Sequence, residues 1–116
     1  MTTQAFRRNA LKLAGATEKA HMNHPDFRVN GKIFATLGYP DEQWGMVKLT
    51  PEQQTEFVRD FSKGFQPVKG SWGRAGSTQV RLAKVDTPTL RKALRAAWKS
   101  VSAGTKPPSS RRRLGA

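Results

Sequence analysis

Phe27-Arg28-Val29-Asn30-Gly31-Lys32-Ile33-Phe34-Ala35-Thr36-Leu37 is the stretch whose reading decides the fold. Asn30-Gly31 separates two runs of β-branched and aromatic residues. A two-residue hairpin turn needs φ > 0 at both central positions, which Asn and Gly accept at low cost, so the pair predicts a hairpin. Alternation along the second strand then places Ile33, Ala35 and Leu37 on one face and Phe34 and Thr36 on the other. On the N-terminal side, Thr17–Met22 reads as a short preceding strand. On the C-terminal side, Gly38-Tyr39-Pro40-Asp41 reads as a turn and Gly45–Leu49 as the next strand, which gives an antiparallel meander.

Helical patterns bracket this meander. Phe6, Ala10, Leu13 and Ala14 lie on one face of a helix from Thr3 to Ala14, and Gly15 is a suitable stop. Thr50-Pro51-Glu52-Gln53 opens a second helix, with Thr50 as N-cap, Pro51 at the first helical position and Gln53 at the capping-box position. Phe57, Val58 and Phe61 supply its apolar face, and Gly64 should end it. Residues 65–77 read as a glycine-rich connection with Trp72 packed inside it. Thr78–Leu82 alternates as a strand with Val80 and Leu82 inward. Asp86-Thr87-Pro88 opens a last helix to Val101, whose core stripe is Leu90, Leu94, Ala97, Trp98 and Val101. The expected fold is α+β, a compact antiparallel sheet packed against helices. It forms one domain over residues 1–101, followed by a disordered basic tail over 102–116.

The chain has 116 residues and no cysteine, which excludes disulfides and thiolate metal sites. No apolar run approaches the roughly 20 residues needed to cross a bilayer. Residues 1–10 carry Arg7 and Arg8 with no signal-peptide core after them, so a soluble, cytoplasmic protein is expected. Net charge is +13, and its distribution is uneven. Residues 1–60 hold eight basic and seven acidic residues, whereas residues 61–101 hold nine basic residues against Asp86 alone. Lys106 and Arg111 to Arg113 add four more charges. Such a field favours a polyanionic partner, nucleic acid before an anionic membrane surface.

Catalytic constellations are not visible. His21 and His24 are the only histidines, and Pro25 with its strand context argues against one helical ligand face. The acids are scattered, so no metal, cofactor or enzymatic activity is expected. The Gly70–Gly76 segment lacks the Lys-Ser/Thr ending of a P-loop and precedes a strand instead of a helix. A basic stripe is the better candidate: Arg91, Arg95 and Lys99 recur every four residues, and Lys69, Arg74 and Arg81 precede them. These six are the expected phosphate contacts, with Arg28 and Lys32 beside Asn30-Gly31 as a second wing. The rival is a protein-interaction or small-ligand module with incidental charge, in which Trp72, Phe27 and Phe34 border a pocket.

His24-Pro25-Asp26-Phe27-Arg28-Val29 followed by Gly31-Lys32-Ile33-Phe34-Ala35-Thr36-Leu37 resembles the core signature of the MmcQ/YjbR family. Pro67-Val68, Gly70-Ser71-Trp72-Gly73, Gly76, Thr78, Val80-Arg81-Leu82 and a last helix with Leu90, Leu94, Ala97 and Trp98 continue it in order. Ser77 departs from the aromatic residue often found there, and the basic tail lies outside the resemblance. The resemblance implies a fold similar to the frataxin/CyaY type and a double-wing DNA-binding role. Iron binding of the frataxin kind is not carried over, because the first helix bears Arg7, Arg8 and Lys12 where acids would be needed. The combined expectation is a non-enzymatic, monomeric protein that binds duplex DNA with little sequence preference.

Overall fold

The computed structural model describes residues 1–21, 24–38 and 41–104. Strands β1 (Thr17–His21), β2 (His24–Val29), β3 (Lys32–Leu37) and β4 (Trp44–Lys48) follow helix α1 (Thr3–Leu11). Helix α2 (Pro51–Asp60), strand β5 (Phe65–Pro67), the one-turn helix α3 (Ser71–Arg74) and strand β6 (Ser77–Arg81) come next. A 3-10 turn over Leu82–Lys84 leads into the long helix α4 (Thr87–Gly104). The six strands form one antiparallel sheet in the order β1-β2-β3-β4-β6-β5. This is the expected α+β class.

Local chemistry accounts for the element ends. Asn30 at φ 53 and Gly31 at φ 78 build the β2–β3 turn. The Thr50 hydroxyl accepts from the Gln53 backbone N–H, and the Gln53 side chain accepts from the Thr50 N–H, completing the capping box. The Asp86 carboxylate accepts the Thr89 N–H at 2.9 Å and so starts α4. Helix α1 ends at Leu11, short of Ala14, and Leu13 still packs against the core from the turn that follows. Helix α4 continues past Val101 to Gly104. Met22, Tyr39, Pro40 and residues 105–116 of the expected tail lie outside the described residues.

Register separates the two faces of the sheet. One row of paired residues runs Phe27, Ala35, Val47, Thr78 across β2, β3, β4 and β6, and all four are fully buried. The core sits on this face: Phe6 of α1 and Leu90, Ala93, Leu94 and Ala97 of α4 close over it, and Phe57 of α2 meets the Phe65 ring at 5.2 Å. The next row runs Lys19, Asp26, Thr36, Met46, Gln79, Gln66 through all six strands on the opposite face. Among the described residues no helix covers that second face.

Two expectations are corrected. Phe34 belongs to the core and Ile33 does not share its neighbours' face. Phe27 pairs with Ala35 and Arg28 with Ile33, so Phe34 is an extra, unpaired residue in a β-bulge. The bulge resets the alternation, and Phe34 and Ala35 are consecutive buried residues while Ile33 is half-buried. The segment 65–77 is also not a plain loop, since it contains β5 and α3. Three residues and a single turn are too short to show a hydrophobic period.

Candidate nucleic-acid interface

Most Lys and Arg side chains among the described residues have no carboxylate partner. Among the described residues only Arg7, Arg28 and Arg59 are in Lys or Arg ion pairs, with Glu18, Asp26 and Asp60 respectively. None of the nine basic residues between 61 and 101 has a carboxylate partner there, and Asp86 is occupied as a helix cap. Six of the nine, with Arg28 and Lys32, fall in three places.

The first lies between α1 and α4. A half-open groove of about 330 Å³ is lined by Asn9, Lys12, Leu13, Arg91, Leu94 and Arg95. Asn9 is nearly buried, and its amide donates to the Ala5 carbonyl at 2.8 Å. Its Oδ1 accepts from Arg91 Nε at 2.9 Å, so a buried amide orients the guanidinium and leaves its two terminal amino groups for a ligand. Lys99 continues the stripe one turn beyond Arg95, exposed like Arg91 and Arg95. Lys12 and Asn9 were not among the expected contacts. The Asn9 link to Arg91 spans 82 residues, and no local pattern carries it.

The second place is the helix-free sheet face, on the far side from α4. Arg81 pairs with Trp44 in register and its guanidinium stacks 4.3 Å above the indole. Arg28 holds Asp26 at 2.7 and 3.1 Å, and Asp26 is fully buried. The Asp26 hydrogen bond raises the Arg28 pKa above its ordinary value. With its charge already matched, Arg28 is a weaker phosphate contact than its position suggested. Lys32 stands exposed at the adjoining hairpin turn.

The third place is the β5–α3 segment, where Lys69 and Arg74 are exposed on either side of Trp72. Trp72 is itself 67% exposed, which overturns the expectation that it is packed. The glycines explain this. Gly73 lies directly on the Val68 backbone and Gly76 on that of Leu49, leaving no room beneath the turn for a large ring. Phe27 and Phe34 are fully buried, so they border no pocket with Trp72.

The eight expected contacts therefore do not share one face. Arg91, Arg95 and Lys99 are together, Lys69 and Arg74 are together, and Arg28 and Arg81 lie across the sheet from α4. The backbones of His21 and His24 pair in register at the β1–β2 turn. Among the described residues no three His, Asp or Glu side chains come together as a metal-holding group, and no helix is long and apolar enough to cross a membrane.

Asp86, the only acid of this basic region, also makes stability pH-dependent. The side-chain and backbone hydrogen bonds of Thr89 lower its pKa below the ordinary carboxylate value. Its contribution is therefore complete above the ordinary carboxylate value and is lost as pH falls through the lowered one. Asp86→Asn keeps a capping oxygen but removes this titration. Its melting temperature should fall less steeply than wild type between about pH 4 and pH 2, the window below the ordinary Asp pKa. Thermal scans across that range check it.

The geometry defines a class: an α+β domain whose antiparallel sheet is backed by helices on one side and whose unpaired cations face solvent. The YjbR family model matches residues 11–100, and the chain belongs to that family, also called MmcQ/YjbR. The chain is similar in fold to the crystal structure of Deinococcus radiodurans protein DR2400, which carries the DUF419 domain. That similarity has a TM-score of 0.75 at 17% identity and covers 95% of this chain and 85% of that one. No curated protein matches the sequence.

Proposed function

We propose that this is a non-enzymatic protein that binds duplex DNA through its phosphates with little sequence preference, as a cytoplasmic monomer without a cofactor. The observation that carries the reading is the set of nine cations between residues 61 and 101 that have no carboxylate partner among the described residues. Leaving so many like charges unpaired costs the compact state through self-repulsion, and a polyanion relieves that cost. The α1–α4 surface is the primary contact, with Lys12, Arg91, Arg95 and Lys99 toward phosphate. Arg91 is the best-prepared of them because Asn9 already holds its Nε. Lys69 and Arg74 form a secondary contact. Arg28 and Arg81 lie on the other side of the sheet and would meet a separate stretch of DNA, while Lys32, in register with buried Val29, stands at the hairpin turn on the helix-backed side.

Titration of a labelled duplex at several salt concentrations tests the reading. Affinity should fall linearly on a log–log plot, with a slope of about −0.9 for each phosphate neutralised. Unrelated duplexes should bind alike, since nothing in the site marks contacts to base edges. A full-length variant with Lys106, Arg111, Arg112 and Arg113 changed to Ser should keep most of the affinity. Loss of all binding in that variant would move the interface to the tail, and no binding of wild type at low salt would end the proposal.

A further inference from the structure

The segment from Lys69 to Gly76 is held firmly, yet its largest side chain faces water. Gly73 lies against the Val68 backbone and Gly76 against Leu49. The Gln54 side-chain amide donates to the Gly73 carbonyl at 2.9 Å and to the Ser77 carbonyl at 3.0 Å. The Leu49 N–H donates in turn to the Gly76 carbonyl at 3.2 Å. This bracing places Trp72 in solvent at 67% exposure. The other two tryptophans have defined partners: Trp44 lies under Arg81, and Trp98 donates its indole N–H to the Ala14 carbonyl. Among the described residues no cation, ring or hydrogen-bond partner meets Trp72.

A tryptophan on a braced backbone has only two side-chain torsions left to order when something stacks on it. Exposed Lys69 and Arg74 stand three residues before it and two after it in the chain, so the segment as a whole suits a partner that is anionic as well as flat. A nucleobase attached to its phosphate meets both conditions, and base–aromatic stacking beside cations is how single strands are commonly held. Within continuous duplex the base faces are already occupied by their neighbours. We infer that Trp72 stacks on an unpaired base, so that the protein prefers DNA with a single-stranded overhang or gap to a fully paired duplex. The inference rests on the nucleic-acid reading above and adds to it a second, structure-selective contact.

The test uses the full-length protein at low salt with a fully paired labelled duplex and the same duplex carrying a short single-stranded overhang. Wild type should bind the overhang substrate more tightly. Trp72→Ala should lose that preference, about fivefold or more for one stacked base, with affinity and salt slope on the paired duplex unchanged. Trp72→Phe, which keeps an aromatic face, should retain part of it. Three results would overturn the inference and leave the duplex reading standing: no preference in wild type, a preference that survives in Trp72→Ala, or equal weakening of both substrates. Wild type binding neither substrate would overturn both readings. Anionic vesicles bound by wild type and released by Trp72→Ala, with overhang binding unaltered, would assign Trp72 to a membrane surface and also overturn it.

Discussion

Gly76→Ala should lower the melting temperature of the domain by roughly 12 to 40 °C, at about 4–8 °C per kcal/mol for a domain near this size. Gly76 adopts φ 117, which L-residues rarely take, and an added Cβ would overlap the Leu49 carbonyl. Backbone strain and overpacking together cost on the order of 3–5 kcal/mol. The clash is hard to relieve, because both sides of the contact are tied. The Leu49 N–H bonds to the Gly76 carbonyl, and the Thr78 hydroxyl donates to that same carbonyl at 2.8 Å. Gly31→Ala separates the two causes. It also has positive φ, at 78, but a Cβ there meets nothing within 4 Å. It should cost only about 1–2 kcal/mol, the penalty of a left-handed residue alone. Thermal or urea unfolding of both variants measures the difference. Equal effects would mean that the Leu49–Gly76 contact is looser than described.

Changing Arg91, Arg95 and Lys99 together to Ala should reduce the magnitude of the log–log salt slope for duplex binding by about 3, close to one per phosphate contact removed. Affinity at low salt should drop by more than tenfold, uniformly across DNA sequences. All three side chains are exposed on α4, and alanine favours helix, so the fold should tolerate the change apart from the lost Asn9–Arg91 hydrogen bond. Removing the same charge elsewhere gives the decisive comparison. Lys19, Lys63 and Lys84 are exposed and lie outside all the proposed contacts. If the Lys19/Lys63/Lys84→Ala variant loses as much, net charge governs binding and α4 has no special part in it.

The unequal roles of the eight basic residues first singled out show how far the site was legible. The stripe of Arg91, Arg95 and Lys99 is a property of one helix, and a four-residue spacing is enough to see it. Arg28 looked equivalent because Asp26, two residues away, gave no sign that a fully buried carboxylate would hold it. Asn9 in the first helix and Lys12 at its C-cap join the site only when α1 packs beside α4. Trp72 looked like a core residue from its size and apolar character. Its exposure depends on the backbone contacts of Gly73 with Val68 and Gly76 with Leu49, neither of which is visible along the chain.

The Asn30-Gly31 stretch shows the same division at the level of the fold. By itself the sequence determined most of the elements and several of their ends: the hairpin turn, the Thr50 capping box, the Asp86 start of α4 and the apolar stripe over Leu90, Leu94 and Ala97. Each of these depends on residues within one or two turns of one another, so its physics is local. Only the tertiary structure decided that Phe34 leaves its alternation to join the core, that Trp72 is displayed in solvent, and that the basic residues divide between two sides of one sheet. Those outcomes follow from how strands register and helices pack. Such contacts connect residues far apart in the chain and leave no period or spacing in the sequence between them.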